Sequence, residues 1–394
     1  MTHQGKRSAK KVSTCHGSTK GSSGRPCRRF LSGPRVEPMQ LKKGMSVLDL
    51  IRNGYTKTGA FNGGRLAEAC ALFSRMIEEN ATIAMTVSGA MTPAGMGGPI
   101  ISLLEAGFVD MVISTGANLY HDLHFALDLP VHQGDFRADD SELLDAGVVR
   151  IYDVFLTEQL LLDTDTFVQE AMRRAKSSGT LASDDAGGVS TARIHNVLGR
   201  DVLERCKYPE RSLLAHAARL GVPVYTSSPG DSSIGMNLAA MRVWGDPIDV
   251  NPDLDVLETT AVVLCAEKNG VVEIGGGSPK NFYLQTQPTL AQILGINRGG
   301  HDFFLQITTD SPQWGGLSGA TPAEAVTWGK INPNDPGNSV VVYCDATVAL
   351  PLLASYALSR HKPRRLKRLF DKLDTYLDEL RREAQKNRRR TRRN

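Results

Sequence analysis

Residues 81–98 read ATIAMTVSGAMTPAGMGG, eight residues of mostly apolar and β-branched character followed at once by ten small and polar ones. A short apolar run bounded by glycine reads as a buried strand running into a loop. The same pattern returns repeatedly along the chain. FVDMVIST (108–115) leads into GANLYHD, VPVYTSS (222–228) into PGDSSIGMN, FFLQITT (303–309) into DSPQWGGLSGA, and SVVVYCD (339–345) into ATVALPLL. TAVVLCA (260–266), ahead of EKNGVVEIGGGSPKN (267–281), reads as a further strand of the set. Continuous apolar strands alternating with helical stretches predict an α/β fold, a parallel sheet covered by helices on both faces. Ligands of such sheets lie outside the carboxyl ends of the strands. Several of those ends here carry Ser, Thr, Asp or closely spaced Gly, the residues that let a phosphate or dinucleotide approach the backbone. Ordinary βα turns favour the same residues, and no GxGxxG follows the first strand, so both readings stand on the residues alone.

The 394 residues, 41% apolar and 22% charged, are enough for one large core and exclude a disordered or coiled-coil chain. No run approaches the ~20 apolar residues of a membrane helix. The six cysteines, at positions 15, 27, 70, 206, 265 and 344, form no CxxC pair. That spacing argues against a disulfide framework or zinc module and suits a reducing, cytoplasmic setting. The net charge of +4 conceals an asymmetry. Residues 1–43 hold eleven Lys/Arg against one acid and residues 360–394 fifteen against five, leaving 20 against 36 in residues 44–359, a net of −16. An acidic body attracts cationic ligands such as amines and disfavours polyanions. We therefore divide the chain into a disordered basic tail (1–43), a catalytic body (44–359) and a basic C-terminal helix and tail (360–394). The first tail is rich in Ser, Gly, Lys and Arg and lacks the apolar surface to fold. It has no amphipathic face of an organelle transit peptide, and an over-extended start with Met39 or Met45 as first residue fits as well. In 364–384, Leu366, Leu369, Phe370, Leu373, Leu377 and Leu380 fall at helical spacing and predict a docked helix. Without interleaved aromatics, a nucleic-acid role for the tails is not expected.

AEAVTWGKI (323–331) reads as a short amphipathic helix ending at Lys330. A lysine desolvated there loses its proton and attacks a carbonyl or imine carbon. Trp328 would hold an alkylammonium chain by its ring face, with Glu324 anchoring a distant nitrogen; a surface lysine beside a buried tryptophan is the plain alternative. HDLH (121–124), with His132 beyond, lacks a third ligand at a supported spacing, and no metal is expected. Asp231 and Asp345 end strands, where they suit either ribose hydroxyls or helix N-caps. Cys344, inside an apolar strand, reads as packing. No GxSxG or Walker A signature is present.

These segments resemble the deoxyhypusine synthase family. AEAVTWGKI (323–331) looks like the active-site lysine segment of that family, and VVVYCDATVALPLL (340–353) its last strand and helix. SPGDSSIGM (228–236), EKNGVVEIGGG (267–277) and TVSGAMTPAG (86–95) align more loosely, and the resemblance spans most of 45–360. It implies a single large Rossmann-like catalytic domain, assembled as a homotetramer with active sites at subunit interfaces, that binds NAD and a small-molecule amine. The implied reaction is an aminobutyl-type transfer: NAD takes a hydride from a secondary amine carbon, and the fragment passes through a lysine imine to an acceptor amine. By position, Lys330 would be the imine-forming lysine, Trp328 the wall along the polyamine and Glu324 an ammonium anchor. Ser88, Thr92, Asp231, Thr309, Gly315 and Asp345 would face NAD.

The chain departs from that pattern. Met236 and Leu317 stand where the family has polyamine-binding aspartates. The family's paired histidines fall near Ile274 and Gly275, and Tyr120 replaces a glutamate. Lost carboxylates leave an ammonium unpaired, which costs several kcal/mol. Either other acids (Asp310, Asp122, Asp135) replace them or the amine differs from spermidine. The expected activity is aminoalkyl transfer between polyamines such as spermidine or homospermidine. The alternatives are modification of a lysine on the translation initiation factor 5A precursor, and an NAD- or polyamine-binding protein without turnover.

Overall fold

The structure, a computed structural model, describes residues 31–181 and 187–391. Residues 1–30, most of the expected basic tail, lie outside that range. Among the described residues nine strands form two sheets: β1 (Thr82–Val87), β2 (Met111–Ser114), β3 (His132–Gln133), β4 (Val148–Ile151), β5 (Val154–Thr157), β6 (Val224–Thr226), β7 (Asn269–Ile274), β8 (Phe303–Thr308) and β9 (Ser339–Tyr343). The main sheet runs in the order β6-β2-β1-β7-β8-β9, and every pairing in it is parallel. A small antiparallel sheet, β3-β5-β4, stands apart from it. The alternation in VVRIYDVFLT is too weak to predict its two longer strands.

The principal helices are α1 (Phe61–Glu78), α2 (Gly97–Glu105), α3 (Gly116–Ala126), α4 (Glu158–Ser177), α5 (Thr191–Arg205), α6 (Leu213–Leu220), α7 (Ser233–Val243), α8 (Pro252–Cys265), α9 (Gly277–Leu284), α10 (Pro322–Thr327), α11 (Ala346–Arg360) and α12 (Leu373–Thr391). They cover both faces of the sheet, and the strands show it by parity, since successive side chains point to opposite faces. Ile83, Met85 and Val87 of β1 join Val272, Ile274, Phe303, Leu305 and Ile307 in one core with α1, α2 and α11. Ala84, Val271 and Phe304 join a second core with α8, α9 and α12. The expected doubly covered parallel sheet is the observed one.

Two elements differ from the sequence expectation. Residues 260–266 are the end of α8 and not a strand. Asn251 caps that helix by accepting from Asp253 N at 3.0 Å, with Pro252 in its first turn. The apolar run buries Ala261, Val262 and Val263 from a helix face. A short buried run carries no period that separates strand from helix, whereas Asn-Pro upstream is a helix start. The strand lies just beyond, in NGVVEI. The C-terminal helix begins at Leu373 rather than near 364. Arg364 and Lys367 instead lie along the amino edge of the sheet, and Leu369, Leu373, Leu377 and Leu380 bury themselves against the second face. Among the described residues no helix is long and apolar enough to cross a membrane.

Candidate active site

Local rules put Lys330 where it is. Thr321 caps α10, accepting from Glu324 N at 3.2 Å, and Pro322 occupies the first turn. The helix stops at Trp328 because Gly329 takes φ +67°, a conformation that glycine adopts without strain. Gly329 N then donates to Val326 O and Lys330 N to Ala325 O, each at 3.0 Å. This pair of bonds is the Schellman closure. The lysine is thus two residues past the helix end, and its carbonyl accepts from His301 N at 2.9 Å just ahead of β8.

The Lys330 side chain enters a pocket of about 170 Å³ whose walls include Phe304, Leu317, Glu324 and Trp328. Its Nζ donates to Asn281 Oδ1 at 2.9 Å and lies 5.7 Å from the Trp328 ring centre. The three residues expected to carry the chemistry are therefore brought together. Burial, and then the charge of Lys280, push the Lys330 ammonium below the ordinary lysine range, against the opposing pull of Glu324 and Glu273.

Sequence reasoning missed what lies beneath. Glu273 on β7 and Gln306 on β8 share the strand parity of Val271 and Phe304 and so point to the second face. Lys280 of α9 reaches down to them. Its Nζ donates to Gln306 Oε1 at 2.9 Å and Ala320 O at 2.7 Å, and stands 3.7 Å from Glu273 Oε2. Glu273 is fully buried, neither oxygen accepts a hydrogen bond, and burial raises its carboxyl to about 8 in spite of Lys280 and Lys330. The signal was present as a glutamate inside the apolar run VVEI.

The residues expected to face NAD gather at the carboxyl ends of the strands. Ser88 ends β1, its Oγ accepting from Gly276 N at 2.7 Å, and Ser278 Oγ lies 3.4 Å from Ser228 Oγ in the loop that carries Asp231. A Cβ on Gly275 or Gly276 would overlap Ser88 or Ser318, so this turn admits only backbone. Thr92 is buried, its Oγ1 donating to Asn118 O at 2.7 Å. Asp345 caps α11, accepting from Thr347 N at 2.8 Å, whereas the cap of α7 is Ser232 and not Asp231, which is left exposed. Thr309 is exposed at the end of β8, and Gly315 closes a turn after Trp314.

A sequence model of the family described as "Deoxyhypusine synthase" matches residues 49–357. The chain belongs to the deoxyhypusine synthase family. It is 44% identical over 357 residues to the "Deoxyhypusine synthase-like protein" of Nostoc punctiforme, across 88% of this chain and 89% of that one. It is 40% identical over 326 residues to "Probable deoxyhypusine synthase 2" of Methanosarcina acetivorans, across 82% and 90%. A crystal structure described as "a putative deoxyhypusine synthase from Entamoeba histolytica" shares the fold, with a TM-score of 0.56 at 15% identity over 84% of this chain and 99% of that one. Membership places the chain among transferases of alkyl groups other than methyl.

Against that family's expected contacts, the replacements are now visible. Leu317 lines the Lys330 pocket directly, while Met236 sits exposed on α7. Ile274 is buried in the first-face core, and the polar group that meets Lys330 is Asn281. Of the three acids considered as replacements, Asp122 is committed elsewhere. It is buried and accepts from Leu213 N, Leu214 N and Ser212 Oγ at the start of α6. Asp135 pairs with Arg137 on the surface. Asp310 alone is near enough to act on Lys280. Tyr120 is buried, its hydroxyl donating to Leu161 O and Asp165 Oδ1, each at 2.9 Å. His121 and His124 bond to one another at 2.9 Å, and burial lowers His124 to about 3. Among the described residues no three His, Cys, Asp or Glu side chains gather as a metal site. Cys344 packs against the first-face core.

Proposed function

We propose that this protein is an NAD-dependent aminoalkyl transferase that works through an imine on Lys330 and takes a polyamine or related small amine as substrate. The observation that carries the reading is Lys330 itself: half-buried, pushed toward the neutral form, and held among Trp328, Glu324 and Asn281. The turn at Gly275 and Gly276, with room for backbone only beside Ser88 and Ser318, suits the approach of a dinucleotide, and we assign Thr92, Asp231, Thr309, Gly315 and Asp345, beyond the carboxyl ends of the strands, to the same cofactor. NAD, when bound, supplies the uptake and return of a hydride at an amine carbon. The chain's own residues do the rest. Neutral Lys330 attacks the imine carbon, the bond from that carbon to the departing amine breaks, and the departing nitrogen leaves with the proton. An acceptor amine then displaces Nζ by the same exchange. Asn281 fixes the orientation of Nζ, Trp328 lies along the alkyl chain, and Glu324 pairs with a far ammonium.

The acidic body favours a cationic substrate over a nucleic acid or an anionic membrane. The pocket walls Trp328 and Leu317, 65% and 49% exposed, support subunits meeting there, and with family membership we read the assembly as a homotetramer. The catalytic unit would span 44–359, with the arm from Arg364 to Leu380 docked upon it. The test is incubation with NAD and spermidine, putrescine or agmatine in turn, beside Lys330→Ala, followed by borohydride and mass spectrometry. A product or a Lys330 adduct seen only with intact Lys330 is expected. Labelled translation initiation factor 5A precursor as the sole acceptor would move the reading to protein modification. Binding of NAD with no product or adduct from any amine would overturn turnover.

A further inference from the structure

The floor of the Lys330 pocket is a second lysine. Lys280 is fully buried, on the face of the sheet where hydrocarbon would ordinarily lie. Its Nζ donates to Gln306 Oε1 at 2.9 Å and Ala320 O at 2.7 Å and stands 3.7 Å from the Glu273 carboxyl, with the Phe304 ring 5.5 Å away. Gln306 is itself oriented by donating to Gly275 O and Ser318 O. An ammonium has three donors and no acceptor, so the two carbonyl-type acceptors, with the Glu273 carboxyl close by, favour the charged form of Lys280 against burial, which pushes it below the ordinary lysine range. Lys280 and Lys330 open into the same pocket, and Asn281, the neighbour of Lys280, receives the Lys330 hydrogen bond. A second cation close behind a lysine disfavours protonation of the first.

We propose that Lys280, seated on Gln306 and Glu273, is the positioning residue that keeps Lys330 unprotonated and therefore nucleophilic near neutral pH. The groups facing Lys330 are Lys280 from α9, Glu324 from α10 and Glu273 from β7, with Asp310 acting on Lys280. Lys280 opposes the proton and the acids favour it. Lys280 needs no contact with substrate for this. The inference deepens the reading of Lys330 as the imine-forming lysine and rests on it, but its test needs neither NAD nor a polyamine.

The experiment is reductive alkylation of the full-length protein with butanal and cyanoborohydride from pH 6 to 10, with the alkylated fraction at Lys330 read by peptide mass spectrometry. Exposed Lys57 and Lys362 serve as internal references. Wild-type Lys330 is expected to label at lower pH than both. Lys280→Met is expected to raise its midpoint, the rate at neutral pH falling about tenfold for each pH unit that the midpoint rises, and Lys280→Arg to restore it. Gln306→Met removes an acceptor of the Lys280 ammonium and leaves the carboxyl in place, so it carries the same sign as Lys280→Met and keeps the inference testable should that variant fail to fold. Lys330 labelling in step with the reference lysines in the wild type would overturn the inference. So would a midpoint unmoved by Lys280→Met or, where that variant does not fold, by Gln306→Met. A Lys330 that responds to these changes while no amine is ever transferred would sustain the inference and sink the transferase reading instead.

Discussion

Two places in this molecule bury lysine or arginine against an acid, and they are finished differently. At the amino edge of the sheet, Asp110 is buried and accepts from Ile83 N at 2.9 Å and from Arg364 Nη2 at 2.5 Å. Arg364 also donates to Ala81 O and Gly107 O, and Lys367 donates to Asn80 O at 2.8 Å and Thr82 Oγ1 at 3.0 Å. Each charged group there has hydrogen-bonding partners, and the cluster pins the C-terminal arm to the body. On the second face, Glu273 accepts no hydrogen bond, and Lys330 has one amide partner and an open pocket. A satisfied buried charge holds structure together; an under-satisfied one keeps its energy available for chemistry.

The largest effect that would break this comparison is at the satisfied cluster. Arg364→Leu strands the Asp110 carboxylate and should cost about 3–5 kcal/mol in urea unfolding, while the fraction that stays folded keeps its Lys330 reactivity. A loss of Lys330 labelling in folded protein would show that the two clusters are not independent. Next, Leu380→Ala removes a buried anchor of α12 and should cost about 2–5 kcal/mol by thermal or urea melts. A change near zero would mean that the arm is held by its charges alone.

Glu273→Gln sharpens the contrast through pH. The folded carboxyl is raised to about 8 from an ordinary value of 4.5, so the folded state binds the proton more tightly than the unfolded one. Its contribution to stability is full below about pH 4.5 and is lost as pH rises through about 8. Glutamine cannot titrate, so unfolding curves of the variant should lack that decline between pH 5 and 8. An identical slope in wild type and variant would assign the decline to other groups. The smallest effect is expected from Asp135→Asn. Its carboxylate pairs with exposed Arg137 in the turn after β3, so neither amine turnover nor Lys330 labelling should move. A rise in the KM for amine on that change would restore Asp135 as a substrate anchor.

Much of this was legible in the chain. The strand-and-loop runs around 81–98, 108–122 and 303–320 stated the parallel sheet, because a strand buried on both faces must be apolar throughout. The run 323–331 stated a short helix beside Lys330, but its stop at Trp328, two residues short of the lysine, is set by Gly329 and was not read. Residues 260–266 were not legible as a helix from their own composition, since apolar burial alone does not distinguish the two periods. The replacements for the missing acids were not legible either: Asp122 looked available, and only the fold shows it spent on the start of α6.

What the sequence by itself determined is local: which runs are strands with small-residue ends, that a short helix leads to Lys330, and that an acidic body carries a lysine beside a tryptophan. What only the tertiary structure decided is which charges share a face. Glu273, Lys280, Gln306 and Lys330 are distant in the chain. They meet because the register of β7 against β8 points Glu273 and Gln306 to one side of the sheet, and a one-residue slip of either strand would turn its side chain to the other.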